Sequence, residues 1–134
     1  MSLIVDASVA TKWFLREDDF KAAQAVLRSG ELLIAPDLVL AEVGNAFWKR
    51  CLKGEMSVAT ASEFMRELPH AFAEITPLIS LVETAMRLSA ELPHPIYDCF
   101  YLALAERERM PIVSADARMI AVANRLGMIE VRRL

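Results

Sequence analysis

The chain has 134 residues, a length that fits one compact domain built around a single core. Hydrophobic residues make up 55% and charged residues 25%, which excludes a disordered chain. The net charge of −3 excludes a general basic coat for nucleic acid, yet it leaves a nuclease open, because bound divalent ions reverse the local sign. No uncharged apolar stretch approaches the roughly 18–20 residues that span a bilayer, and the first residues lack the basic-then-apolar pattern of a signal peptide. Cys51 and Cys99 show no C-x-x-C spacing and read as buried thiols in a reducing compartment. The expectation is a soluble, cytoplasmic, single-domain protein over residues 1–134, with enough apolar surface to invite a second subunit or another protein.

In chain order, Leu3–Val5 reads as a short buried strand that runs straight into Asp6. Residues 17–28 carry helical spacing and open on Glu17, Asp18 and Asp19, acids that suit the positive end of a helix and are assigned no chemistry. Leu32–Ala35 reads as a second strand, and helical patterns follow over 37–53 and 56–68. Ala73–Leu78 is a weaker strand candidate containing Ile75, Thr76 and Pro77. Helical spacing resumes over 80–92 and 96–109, the latter entered through Pro93 and Pro95 and ending on the polar Arg107, Glu108 and Arg109. Pro111–Ser114 is a strand, 115–126 a helix, and Met128–Val131 a fourth strand candidate. Strands alternating with helices imply βαβ units: an α/β domain with a mostly parallel sheet covered on both faces, and a helical elaboration between Glu31 and Leu78. No linker, low-complexity tract or internal repeat marks a second domain.

In an open parallel sheet, ligands bind beyond the carboxyl ends of the strands. Asp6 stands at that end of the first strand, and IVSAD (112–116) repeats the arrangement with Ser114 and then Asp116. Asp98 comes in the first turn of the 96–109 helix, with Tyr101, Leu102 and Ala105 following on its face. Glu42 borders a stripe formed by Leu40, Val43, Phe47 and Cys51, and shares an adjoining face with Asn45 and Lys49. Taken singly, each acid has a plainer role: Asp98 favours a helix dipole, Asp116 caps a helix, Asp6 makes a turn, and Glu42 is a solvated helix residue. Taken together, converging carboxylates repel and need a counter-charge. A hard divalent cation supplies it while leaving positions for phosphate oxygens, the arrangement of metal-assisted phosphodiester hydrolysis. Too few His and Cys are present to suggest zinc.

Four stretches, VDASVATKW, EVGNAFWK, YDCFYLALAE and PIVSADARM, resemble in this order the PIN-domain family, and especially the VapC-type toxins of bacterial and archaeal toxin–antitoxin pairs. The resemblance runs from the first strand to the last helix. It implies a PIN-like three-layer α/β/α sandwich and a Mg²⁺- or Mn²⁺-dependent endoribonuclease. Asp6, Glu42, Asp98 and Asp116 match the family's acidic metal-binding and catalytic positions. Ser8 and Ser114 fall where members often carry a supporting hydroxyl, Ser114 standing where Thr is frequent, and Asn45 is a further supporting candidate. The implied reaction is in-line attack of water on an RNA phosphate, giving 5′-phosphate and 3′-hydroxyl ends. The implied partners are an RNA substrate, a cognate antitoxin and, commonly, a second copy of the chain.

Lys12, Arg16, Lys49 and Arg118 lie near these motifs and are candidates for steering RNA phosphates, although each alone reads as part of a solvated helix face. Trp13, Phe14, Phe47 and Trp48 read as core or interface packing rather than base-stacking platforms. His70 and His94 stand beside prolines with no partner at ligand spacing, which argues against a catalytic histidine. The helical segments around 37–68 could offer a groove to a partner helix. Two other readings compete. A receiver-like phosphoacceptor would want an acid pair after the first strand, an Asp on a middle strand and a late Lys, none of which stands here. A non-catalytic PIN-fold interaction module would tolerate losing its acids, and this sequence keeps all four.

Overall fold

The computed structural model describes all of residues 1–134. Five strands form one sheet: β1 (Ser2–Val5), β2 (Leu32–Pro36), β3 (Glu74–Thr76), β4 (Ile112–Ser114) and β5 (Val131–Arg133), in the order β3-β2-β1-β4-β5. Every pairing is parallel, so the sheet is wholly rather than mostly so. Leu3, Ile4 and Val5 are all buried, as a central strand covered on both faces requires. The chain leaves β1 toward β2 and β3, then returns across the sheet to β4 and β5. The connections therefore diverge between β1 and β4, which is the switch point where a crevice opens at the carboxyl ends.

Seven helices complete the layers: α1 (Ala7–Lys12), α2 (Phe20–Leu27), α3 (Leu38–Leu52), α4 (Val58–Glu67), α5 (Val82–Glu91), α6 (Ile96–Glu108) and α7 (Ala117–Leu126). Right-handed crossovers put α1–α4 on one face and α5–α7 on the other, the three-layer sandwich expected. α6 packs between α5 and the three strands β1, β2 and β4, and Cys99 through Ala105 are all buried. That explains why its sequence reads apolar on every side. α3 and α4 form the elaboration. They approach closely at Gly44, where an added Cβ would lie 3.2 Å from Met65 Cε. Phe14, Phe47 and Phe64 lock this corner, with centroids 5.0–5.8 Å apart.

Several expectations shift. α1 has no signature in the sequence pattern, because its 6 residues are too few to show a helical period and follow the strand without a loop. Its presence leaves Glu17–Asp19 in the connection, and α2 begins only at Phe20. The last strand lies at Val131–Arg133, beyond the expected Met128–Val131, because Gly127 ends α7 with φ +73° and a turn follows. Cys99 is buried, but Cys51 is only half-buried; neither forms a disulfide. Trp13 and Phe47 are core residues, whereas Trp48 is 54% exposed. No helix is long and apolar enough to cross a membrane.

Phe47 is buried at the centre of the α1–α3–α4 corner. Phe47→Ala should cost about 3–5 kcal/mol, read as a lowered urea midpoint with an unchanged slope.

Candidate active site

Asp6 leaves β1 at the switch point. Its backbone N–H donates to the Val113 carbonyl (3.2 Å), and its own carbonyl accepts the first bonds of α1 from Val9 and Ala10 (3.0 and 3.2 Å). The side chain does not cap the helix. Oδ2 instead accepts from the hydroxyls of Ser8 (2.8 Å) and Ser114 (2.7 Å). Ser8 Oγ also accepts from the Ala115 N–H (3.0 Å), and Ser114 Oγ from the Asp116 N–H (2.9 Å). Each hydroxyl has one hydrogen, and both are spent on Asp6. The 3.3 Å separation of the two Oγ atoms is thus a contact that their shared acceptor imposes.

Asp6 is 5% exposed, and burial raises its pKa above the ordinary carboxylate value. The two serine bonds oppose that shift, while the charges of Asp98 and Asp116 add to it. Glu42, half-buried on α3, is pushed up to about 7, first by desolvation and then by Asp6, Asp98 and Asp116. Tyr101 on α6 opposes this by donating its hydroxyl to Glu42 Oε1 (2.7 Å). Burial, then the Glu42 and Asp6 charges, hold the phenol well above its usual pKa and keep it a donor. Asp116 caps α7, its Oδ1 accepting from the Arg118 N–H (2.9 Å). Asp98 sits in the first turn of α6, and its Oδ2 pairs with His94 Nε2 at 2.6 Å.

A common pattern emerges. Each of the four carboxylates engages protein donors through one oxygen only, leaving Asp6 Oδ1, Glu42 Oε2, Asp98 Oδ1 and Asp116 Oδ2 without a protein partner. No buried side-chain oxygen is orphaned, so Asp6 Oδ1 reaches solvent. An open cleft of about 400 Å³ is lined by Ser8, Lys12, Glu17, Glu42 and Asp116, among others. A hollow of about 470 Å³ lies around Pro111 and Met128, at the opposite end of β4 and away from these acids.

No three acidic, histidine or cysteine side chains are grouped closely enough to hold one metal ion together. The donor set nonetheless suits a hard divalent cation: four carboxylates, each with an open oxygen, of which Asp6 and Glu42 have their proton affinity raised first by burial.

The other predicted residues spread out. Asn45 and Lys49 are exposed on α3, and neither lines the cleft. Arg16 lies over the Phe20 ring (5.4 Å), and Arg118 is exposed with no ion pair. Lys12 does line the cleft, paired with Glu17 (3.0 Å) and Asp19 (3.8 Å). Glu17 also binds Arg50, and its pKa is lowered chiefly by the Lys12 hydrogen bond. Glu17 thus belongs to the cleft wall, contrary to its reading as a plain helix-start acid. His94, expected to have no partner at ligand spacing, pairs with Asp98 four positions on.

The wholly parallel sheet with acids gathered at its switch point defines an open α/β domain with an acidic cleft. The PIN domain model matches residues 3–125, and the chain belongs to the PIN domain family. Two relatives come from Pyrobaculum aerophilum. Ribonuclease VapC3 is 27% identical over 89% of this chain and 92% of its own length. Exonuclease VapC9 is 28% identical over 81% and 78%. Among solved structures, VapBC2 of Rickettsia felis, bound to a DNA fragment from its promoter, superposes with a TM-score of 0.73 at 12% identity. That match covers 100% of this chain and 99% of the other, and shows a shared fold.

A Glu42 carboxyl that binds its proton more tightly in the folded state favours folding below pH 4.5. That contribution is lost as pH rises toward about 7, where the charged form must be kept half out of water. In chelator-treated protein, Glu42→Gln should therefore raise the melting temperature at pH 8, by a stability gain on the order of 1 kcal/mol after solvent screening. At pH 4.5 calorimetry should show little difference, since the amide oxygen still accepts from Tyr101.

Proposed function

We propose that this PIN domain is an endoribonuclease, dependent on Mg²⁺ or Mn²⁺, acting as the toxin of a toxin–antitoxin pair. The observation that carries the reading is the set of four carboxylates at the switch point, each with one oxygen anchored and one open. The two Pyrobaculum relatives, named as a ribonuclease and an exonuclease, lend it support. Asp6, Glu42, Asp98 and Asp116 would hold the ion. When bound, it supplies Lewis acidity toward phosphate oxygens and toward an attacking water.

The chain's own residues do the positioning. Ser8 and Ser114 hold Asp6 in one orientation at the crevice floor, and Tyr101 fixes Glu42 on the facing helix. Lys12 offers a cation at the cleft mouth, where a phosphate would compete with Glu17 for it. Water attacks in line, so the RNA 2′-hydroxyl is not the nucleophile and products carry 5′-phosphate and 3′-hydroxyl ends. For the antitoxin, a groove of about 340 Å³ between α3 and α4, lined by Phe47, Trp48, Val58 and Met65, suits an apolar helix. Exposed Ile79, Val82 and Met86 offer an apolar patch to a second copy.

Purified protein should cleave a circular RNA in Mg²⁺ or Mn²⁺ and stop with EDTA; circular substrate separates endonuclease from exonuclease. Asp98→Asn should lower the rate by at least about 100-fold with its circular dichroism unchanged. Products ending in 2′,3′-cyclic phosphate would refute the mechanism.

A further inference from the structure

His94 is 9% exposed, and Asp98 is its ring's one hydrogen-bond partner. A largely covered imidazole without a partner costs free energy, and its partner is the Asp98 carboxylate, whose other oxygen has no protein donor. An ionised Asp98 Oδ2 can only accept, and the tautomer that pairs with it carries its hydrogen on Nε2. The backbone around the ring is pinned from several sides. The His94 carbonyl accepts from Ser89 Oγ (2.6 Å) and, more weakly, from Cys99 Sγ (4.0 Å), and the His94 N–H donates to the Ser89 carbonyl (3.2 Å). The α5–α6 junction thus fixes the imidazole, and the imidazole fixes one oxygen of Asp98.

We propose that His94 is a positioning residue for Asp98: its Nε2–H holds Oδ2 and restrains the rotation of the carboxylate, leaving Oδ1 as the atom offered to a divalent cation. A carboxylate of the first turn of a helix already has the amide dipoles nearby, so Asp98 needs no histidine for helix stability. What the histidine adds is direction. Outer donors that orient ligating groups typically change metal affinity by about 10–100-fold. The inference rests on the proposed metal-dependent reading, and the experiment separates the two.

Mn²⁺ binding is measured by calorimetry on the wild type, His94→Gln and His94→Asn, with folding followed by circular dichroism and thermal melting. The Gln amide nitrogen reaches where Nε2 stands, whereas the Asn amide falls short. Expected is a Mn²⁺ dissociation constant weakened about 10-fold or more by Asn and largely restored by Gln. The Mn²⁺ concentration for half-maximal RNA cleavage should move by the same factor, with a smaller change in rate at saturating Mn²⁺. Equal Mn²⁺ affinity in all three proteins, or equal weakening by Gln and Asn, overturns the positioning role, whatever the melting temperatures do. A wild type that binds no Mn²⁺ overturns the metal-dependent reading itself.

Discussion

The Asp6 carboxylate is held almost out of water by two serine hydroxyls, one on α1 and one at the end of β4, and much else follows from that bond pair. A buried carboxylate without donors would take up a proton or force the rim apart. Here the donors come from the two elements that meet at the switch point, so the bonds that keep Asp6 ionisable also close the seam between β1 and β4. Backbone amides at Ala115 and Asp116 then orient the hydroxyls, which leaves the serines no freedom to turn elsewhere. The Asp6 carboxylate, the start of α1 and the exit of β4 are thus joined in one small network.

The strand order also bears on what the domain is not. A receiver-like sheet of the doubly wound kind places its strands 2-1-3-4-5, whereas this one runs 3-2-1-4-5. The lone aspartate after β1 and the absence of a lysine in β4 agree with that difference. Glu42 is pushed up to about 7 and Asp6 is raised, both first by burial, so holding either in its charged form costs stability.

Much of this was legible from residues alone, for physical reasons. Buried parallel strands must be short apolar runs, so Leu3–Val5, Leu32–Ala35 and Pro111–Ser114 stood out. Their exits had to carry the polar groups, which located Asp6, Ser114 and Asp116. What was lost was local or long-range geometry. α1 is shorter than the window in which a helical period shows. The Tyr101–Glu42 bond joins residues 59 positions apart, and no spacing rule announces it. Glu17 reaches the cleft only because α1 turns the chain back, bringing Lys12 and Arg50 to it. The His94–Asp98 pair escapes any helix-face rule, since His94 lies at the α5–α6 junction, two residues before α6 begins at Ile96.

A sheet whose strands all run one way has two dissimilar ends. Met1 leads into the foot of the central strand, far from the crevice, while the Leu134 N–H is bonded to the carbonyl of Ser114, the residue that holds Asp6. Any polypeptide or tag joined beyond Leu134 therefore emerges beside the acids, and one joined before Met1 emerges at the far end. The choice of fusion site is thus a choice about whether the cleft stays open.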